Sequence, residues 1–307
     1  MEKRVVKILT FGSCGWDRIF YKNKDGNEGE LIYEEEGRKN SHQAVAAKRA
    51  SGGISTLVSF VGDDEIGKKC LESLNKCGID TRYITVVKGE NTEVNHQLLD
   101  RETKDYELKR FASPLSQWYG KDTVRMYEKE ILDSNFVILV SKQPKEFLTE
   151  AINFCHENKI PTVITVSHPN FYIEKEEDVE TLKRCKYITG NFKESEALTN
   201  KSIPKEMLRT LPNLIITKGA EGVWFCDENG RVCHENAVPA EKVVETNGAG
   251  DTFIGYFMVC RAEGKSITES VRMGMCASTI EISKMGVVNA IPYREETEVL
   301  YKSNYGK

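Results

Sequence analysis

The sequence predicts an α/β protein: a mostly parallel central sheet covered by helices on both faces, with a small β-sheet set apart from it. Three observations carry this expectation. Short apolar runs alternate with helical patterns along most of the chain, as a parallel sheet with crossover helices requires. Val94–Leu99 and Tyr106–Phe111 break that rhythm; they alternate apolar and polar residues around Asp100-Arg101-Glu102-Thr103 and read as a hairpin outside the core. A Gly-rich turn, Asn247-Gly248-Ala249-Gly250, opens onto the apolar run from Phe253 to Cys260, so a buried helix begins there.

The elements follow in order. Residues 5–11 read as a strand and 43–50 as a short Ala-rich helix. A strand is expected at 56–61, then a helix over 65–77 with Leu71 and Leu74 on one face. Phe136–Val140 reads as a strand, Lys145–Glu157 as a helix and 162–166 as a buried strand. Short strands at 187–189 and Leu214–Thr217 flank a helix over 193–198. Residues 222–226 and 231–234 surround Asp227-Glu228-Asn229-Gly230, a hairpin turn. Residues 20–36 are polar and rich in Gly, Lys and Glu, outside the parallel core. No Pro-, Gly- or Ser-rich linker and no repeat divides the chain, so a single domain over 1–307 is expected.

Composition bounds the function. With 307 residues, 39% hydrophobic and 29% charged, the chain is that of a globular protein with a sizeable core. A net charge of −4 and no dense Lys/Arg cluster argue against nucleic acid as a partner. No apolar run approaches a membrane span, and no signal peptide is expected ahead of the first strand. The nine cysteines are scattered without a C-x-x-C pair, which speaks against zinc and a disulfide framework and fits a reducing cytoplasm.

The chemistry gathers at the Gly-rich turn. Gly248, Ala249 and Gly250 let backbone N–H groups converge on an anion, and the following helix adds its positive dipole end. Asp251 is a carboxylate beside a site built for negative charge. It suits a general base that deprotonates a hydroxyl while the nest holds a transferred phosphoryl group. The competing reading is a simple helix N-cap, with Asp251 or Thr252 capping.

Glu245-Thr246-Asn247-Gly248-Ala249-Gly250-Asp251 resembles the D-T-x-G-A-G-D signature of the ribokinase/PfkB family of carbohydrate kinases, departing only at Glu245. The resemblance covers nearly the whole chain in the family's order. It implies a ribokinase-like three-layer sandwich with a β-sheet lid, contributed here by about 14–40 and 82–112, over the sugar site. It also implies ATP as phosphoryl donor, Mg²⁺ as cofactor and a homodimer through the lid.

Asn191-Phe192-Lys193-Glu194 resembles the family's N-x-x-E, whose Glu organises Mg²⁺ through water, although the same four residues also read as a helix cap. Thr217-Lys218-Gly219-Ala220-Glu221-Gly222 resembles the turn that lines the nucleotide site, and Ser278 falls in the adenine-side region. Lys284 to Pro292 resembles the tail that binds a monovalent cation, K⁺, where Glu245 would replace an aspartate.

On the sugar side, Gly12-Ser13-Cys14-Gly15-Trp16-Asp17 matches G-x-x-x-x-D, which makes Asp17 an acceptor for two sugar hydroxyls. Gly37-Arg38-Lys39-Asn40-Ser41-His42 aligns with a Gly-Gly…Asn segment, with Arg38 at the second glycine and His42 at the sugar-binding asparagine. Gly15 and Lys142 stand where ribokinases place an Asn and a Glu on ribose. Together these departures speak against ribose and for an anionic or modified sugar. Against this, Arg38 and Lys142 could face solvent or pair with Glu34, Glu35 and Glu36. A nucleoside kinase, with Trp16 against the base, and a non-catalytic sugar sensor are the alternative functions.

Overall fold

A computed structural model describes residues 5–102, 106–111, 115–120, 122–167 and 173–306. In chain order the strands are β1 (Lys7–Phe11), β2 (Gly15–Lys22), β3 (Glu28–Gly37), β4 (Ile54–Gly62), β5 (Ile84–Val87), β6 (Val94–Leu99) and β7 (Tyr106–Phe111). They continue with β8 (Phe136–Val140), β9 (Thr162–Thr165), β10 (Tyr187–Asn191), β11 (Leu214–Thr217), β12 (Val223–Cys226) and β13 (Val232–Glu235). The helices are α1 (Lys39–Ser51), α2 (Glu65–Lys76), α3 (Asp122–Met126), α4 (Glu128–Leu132), α5 (Lys145–Glu157) and α6 (Glu176–Arg184). After these come α7 (Phe192–Thr199), α8 (Pro204–Thr210), α9 (Ala249–Ala262), α10 (Ile267–Glu281) and α11 (Arg294–Tyr305).

Among the described residues, nine strands form the central sheet in the order β13-β12-β11-β10-β9-β8-β1-β4-β5, parallel except for the hairpin β12–β13 at one edge. Strands such as Phe136–Val140 are buried at every position, because helices cover both faces of a parallel sheet. Two apolar clusters result. One packs α1, α9 and α10 against the sheet around Tyr256 and Phe257; the other packs α5 and its neighbours around Phe11 and Phe147.

A second sheet, β3-β2-β6-β7, stands apart, with β2 and β6 parallel and the outer pairs antiparallel. It takes 15–37 and 94–111 from the segments expected to build a lid. Two parts of that expectation are corrected. Ile84–Val87 pairs with Ser59–Gly62 as an edge strand of the central sheet, and Lys39 already begins α1. Thr103, in the hairpin turn, and residue 112 lie outside the described residues.

The strand expectations at the other positions shift by at most two residues at either end. Helices α3, α4, α6, α8, α10 and α11 had no sequence-based expectation; α6 and α11 are polar, carrying two and one buried residues respectively. All nine cysteines are free, and seven of them are buried as small core residues.

Candidate active site

The site forms where α9 meets α1. Gly255 permits this closeness: a Cβ there would stand 2.4 Å from Ala46 Cβ and 2.7 Å from the backbone N of Ala47. The Ala-rich face of α1 and a glycine in α9 therefore bring the two helices nearly backbone to backbone. That contact presents His42 and Gln43 of α1 to Asp251 of α9.

Helix α9 starts at Gly248, whose φ of 90° favours glycine, and no side chain caps it. The N-cap reading of Asp251 or Thr252 is thereby corrected, since both lie inside the first turn. A side chain on Gly248 would meet Val287 Cγ1 at 2.3 Å and Glu281 Oε1 at 2.9 Å, so the turn is packed against the end of α10. Ser278 lies beneath the turn, its Oγ donating to the Ala249 carbonyl at 2.7 Å. Asp251 is buried, and its Oδ1 accepts from Gln43 Nε2 at 2.8 Å. Its Oδ2 lies 3.9 Å from His42 Nδ1.

On the small-sheet side, Asp17 Oδ1 accepts from Arg38 Nη1 and Asn95 Nδ2, both at 2.9 Å, and Oδ2 accepts from Gln97 Nε2 at 2.8 Å. Gly37 makes room for it, since a Cβ there would fall 2.4 Å from Asp17 Oδ2. Arg38 is buried with φ 141°, a conformation in which a side chain is strained by about 1–3 kcal/mol. Its Nη2 also lies 3.1 Å from Glu93 Oε1. Gly15 belongs to the same arrangement: the guanidinium Nε lies 3.1 Å from where a Gly15 Cβ would be. The two sequence departures at Gly15 and Arg38 are thus one structural event. Arg38 neither faces solvent nor pairs with Glu34, Glu35 or Glu36; its partners are Asp17 and Glu93.

The small sheet reaches the Gly-rich turn through Gln97 Oε1, which accepts from Asn247 Nδ2 at 3.2 Å. Lys142 lies half-buried on the turn after β8.

On the phosphate side, Asn191 caps α7 in a reciprocal capping box: its Oδ1 accepts from Glu194 N at 2.9 Å, and Glu194 Oε2 accepts from Asn191 N at 2.8 Å. Glu194 Oε1 also pairs with Lys39 Nζ at 2.9 Å. A carboxylate has lone pairs to spare beyond these two contacts, so water-mediated Mg²⁺ is compatible with the cap. Among the described residues no group of three or more His, Cys, Asp or Glu is placed to hold a metal directly. Thr217 sits opposite Asn191 on the adjacent strand. The loop after it needs its glycines, with φ of 51° at Gly219 and 94° at Gly222. A Cβ on Gly222 would fall 2.0 Å from the Glu235 carbonyl oxygen.

Glu245 is buried, accepting from the Tyr33 hydroxyl and from Gly286 N at 3.0 Å. Glu35 Oε1 accepts from Val287 N at 2.6 Å and its Oε2 from Val288 N at 3.1 Å. Burial pushes the Glu35 carboxyl up, despite these N–H donors and the nearby His42.

Sequence reasoning missed Gln43, Glu93, Asn95, Gln97, Tyr33 and Glu281. Asn95 and Gln97 carried a signal, being alternate polar positions of one strand and so on one face. Glu281 carried none, an acid at the end of a largely apolar helix whose first turn holds the other, Glu269. Its Oε2 has no hydrogen-bond partner among the described residues. Burial, reinforced by Glu245, Asp251 and Glu35, pushes its carboxyl up to about 9. A value raised on folding gives stability that is complete below the usual carboxylate range and is lost as pH rises through 9. Glu281→Gln removes that loss, so its Tm relative to the parent should climb steadily between about pH 5 and pH 9. A flat difference across that window, read by thermal unfolding, would refute the account.

No helix among the described residues is long and apolar enough to cross a membrane. The model of the pfkB family carbohydrate kinases matches residues 6–294. The ribokinase of Lactococcus lactis is 29% identical over 304 residues, covering 97% of this chain and 98% of its own. That of Bacillus subtilis is 28% identical over 300 residues, covering 95% and 98%. The structure of Arabidopsis thaliana ribokinase complexed with ribose and ATP superposes with a TM-score of 0.84 at 20% identity, over 97% of this chain and 99% of that one.

Proposed function

The chain belongs to the pfkB family of carbohydrate kinases, and from that premise we propose an ATP-dependent transfer to a primary hydroxyl of a sugar derivative other than ribose, with Asp251 as general base. One observation carries the reading of the base. Asp251 is a buried carboxylate in the first turn of a helix with no side-chain cap, held at one oxygen by Gln43. The base and the anion nest thus share one turn. As the hydroxyl oxygen attacks the γ-phosphorus, its proton passes to Asp251 and the bond to ADP breaks. Gly248, Ala249 and Gly250 supply N–H groups for the charge on the transferring group. Mg²⁺ held through water at Glu194 would neutralise phosphate oxygens. Thr217, Gly219, Gly222 and Ser278 belong to the nucleotide side of this reading, and Asp17, Gly37, Arg38, His42 and Lys142 to the sugar side.

The acceptor is read from Arg38. Its charge is matched by Asp17 and Glu93, and Glu93 is the more exposed partner, 19% against 6%. A carboxylate, phosphate or sulfate on the sugar would exchange with Glu93 and keep the guanidinium paired. The nucleoside reading has less support, because Trp16 is buried with Lys69 Nζ 5.4 Å from its ring centroid rather than open to a base. A sensor would need neither Asp251 nor the uncapped turn. K⁺ at Glu245, a homodimer through the small sheet and a cytoplasmic location complete the reading.

The test is ADP release with Mg·ATP and K⁺ against D-ribose, D-fructose, sugar acids, sugar phosphates and nucleosides. Turnover confined to a charged sugar is expected. Arg38→Gly should raise the KM of that sugar by about 10-fold or more, the loss of one charged hydrogen bond. Preference for ribose, or an unchanged KM in the variant, would defeat the reading of Arg38.

A further inference from the structure

We propose that His42 is a positioning residue for the transfer: an imidazolium that, with Gln43, clamps the Asp251 carboxylate and leaves Oδ2 as the atom that takes the hydroxyl proton. The proposal rests on the reading of Asp251 as the base.

The ring's two contacts set its protonation. His42 Nε2 lies 3.2 Å from the Glu36 carbonyl oxygen. A carbonyl only accepts, so Nε2 carries a hydrogen. Nδ1 faces Asp251 Oδ2 at 3.9 Å. A neutral ring protonated at Nε2 would turn the Nδ1 lone pair toward a carboxylate, whereas an imidazolium turns an N–H toward it. At 3% exposure the ring has little water to hydrate its charge, so its counter-charges must come from the protein. Asp251 of α9 and Glu36 and Glu35 of β3 supply them, beside the carboxyl of Glu281 on α10.

Burial alone pulls the imidazole down, but Asp251, Glu36 and Glu35 outweigh it and raise His42 to about 10. Burial pushes Glu36 up to about 7 and Glu281 up to about 9, so at neutral pH Glu281 holds its proton. Asp251 is thus the carboxylate that the imidazolium faces at ion-pair distance.

The clamp divides the two oxygens of the base. Gln43 Nε2 holds Oδ1 at 2.8 Å. His42, its neighbour on α1, stands beyond hydrogen-bond distance of Oδ2, which keeps a lone pair for the substrate. As transfer proceeds, the substrate O–H breaks and Oδ2–H forms, the substrate O–P bond forms and the bond to ADP breaks. His42 keeps its proton throughout and holds the carboxylate aimed beforehand.

The experiment reads the unaltered protein first. In the ¹⁵N-histidine spectrum at about pH 8, where an unperturbed imidazole is neutral, one of the five histidines should carry hydrogens on both ring nitrogens. Every histidine neutral at that pH would overturn the proposal. His42→Asn and His42→Gln should then remove that signal. With the best acceptor of the panel above, the acidic limb of kcat/KM should move up by about one pH unit, with the KM for ATP unchanged. A uniform loss at all pH values, or an unmoved limb, would assign His42 a structural role only. If Asp251→Asn retained turnover the reading of the base would fail instead, so the two failures are separable.

Discussion

Asp251→Asn is expected to lower kcat by about 10²- to 10⁴-fold, the range a positioned general base supplies. The amide keeps the shape of the carboxylate, and its oxygen can still accept from Gln43 Nε2, which holds Asp251 Oδ1 at 2.8 Å in the parent. It cannot take a proton from the attacking hydroxyl. The turn at Gly248 does not depend on the side chain, since no side-chain hydrogen bond caps α9. ATP binding, read by calorimetry, should therefore stay within about twofold of the parent while ADP release collapses. Equal turnover in the variant would refute the base assignment. Parallel loss of binding and turnover would show that the charge, not the proton transfer, was the element removed.

Gly255→Val is expected to cost about 3 kcal/mol of stability or more. Intrinsic helix propensity pulls the other way, because glycine inside a helix is worse than most residues by a few tenths to about 1 kcal/mol. Packing outweighs it. The Cβ alone would stand 2.4 Å from Ala46 Cβ, 2.7 Å from Ala47 N and 2.9 Å from the Ala46 carbonyl carbon. Two of these three are backbone atoms of α1, so the strain cannot relax by a rotamer change and the helices must separate, the costly end of overpacking at about 1–3 kcal/mol or beyond. Separation also moves His42 and Gln43 away from Asp251, so kcat should fall in the protein that remains folded. Gly120→Ala is the control, with nothing among the described residues within 4 Å of its Cβ position. Its Tm should match the parent within the ordinary surface range of about 0.5 kcal/mol. A Gly255→Val protein as stable as this control would show that the α1–α9 contact is looser than the geometry implies.

The fold was legible in the sequence wherever one element carries its own period. Phe136–Val140, Lys145–Glu157 and Leu214–Thr217 end where the pattern ends, because an all-apolar strand between covering helices and a helix with one apolar face need no distant information. Residues 84–87 were assigned by their neighbourhood in sequence to the small sheet. Four residues with two exposed positions carry no signal for which sheet they join, and parallel pairing with β4 decides it.

The Gly-rich turn was readable for the same local reason. Gly248 must be glycine for its own φ and Asp251 follows at a set distance, so turn, helix start and carboxylate are all written in consecutive residues. The partners of each charge were not. Arg38 is in sequence a cation next to three acids, Glu34, Glu35 and Glu36, yet it pairs with Asp17 on β2 and Glu93 ahead of β6, brought together only by the small sheet. His42 reads as a residue aimed at the sugar; that it also stands 3.9 Å from Asp251 follows only from the approach of α1 to α9. Glu281 reads as one acid near the end of a helix and becomes a buried carboxyl at the Gly-rich turn. By itself, then, the sequence determined the order of strands and helices, the turn and the carboxylate, which depend on backbone conformation and period within a few residues. Tertiary structure alone decided which charges neutralise one another. Ion pairing depends on distance in space and on burial, and both are set by residues far apart in the chain, as with His42 and Asp251.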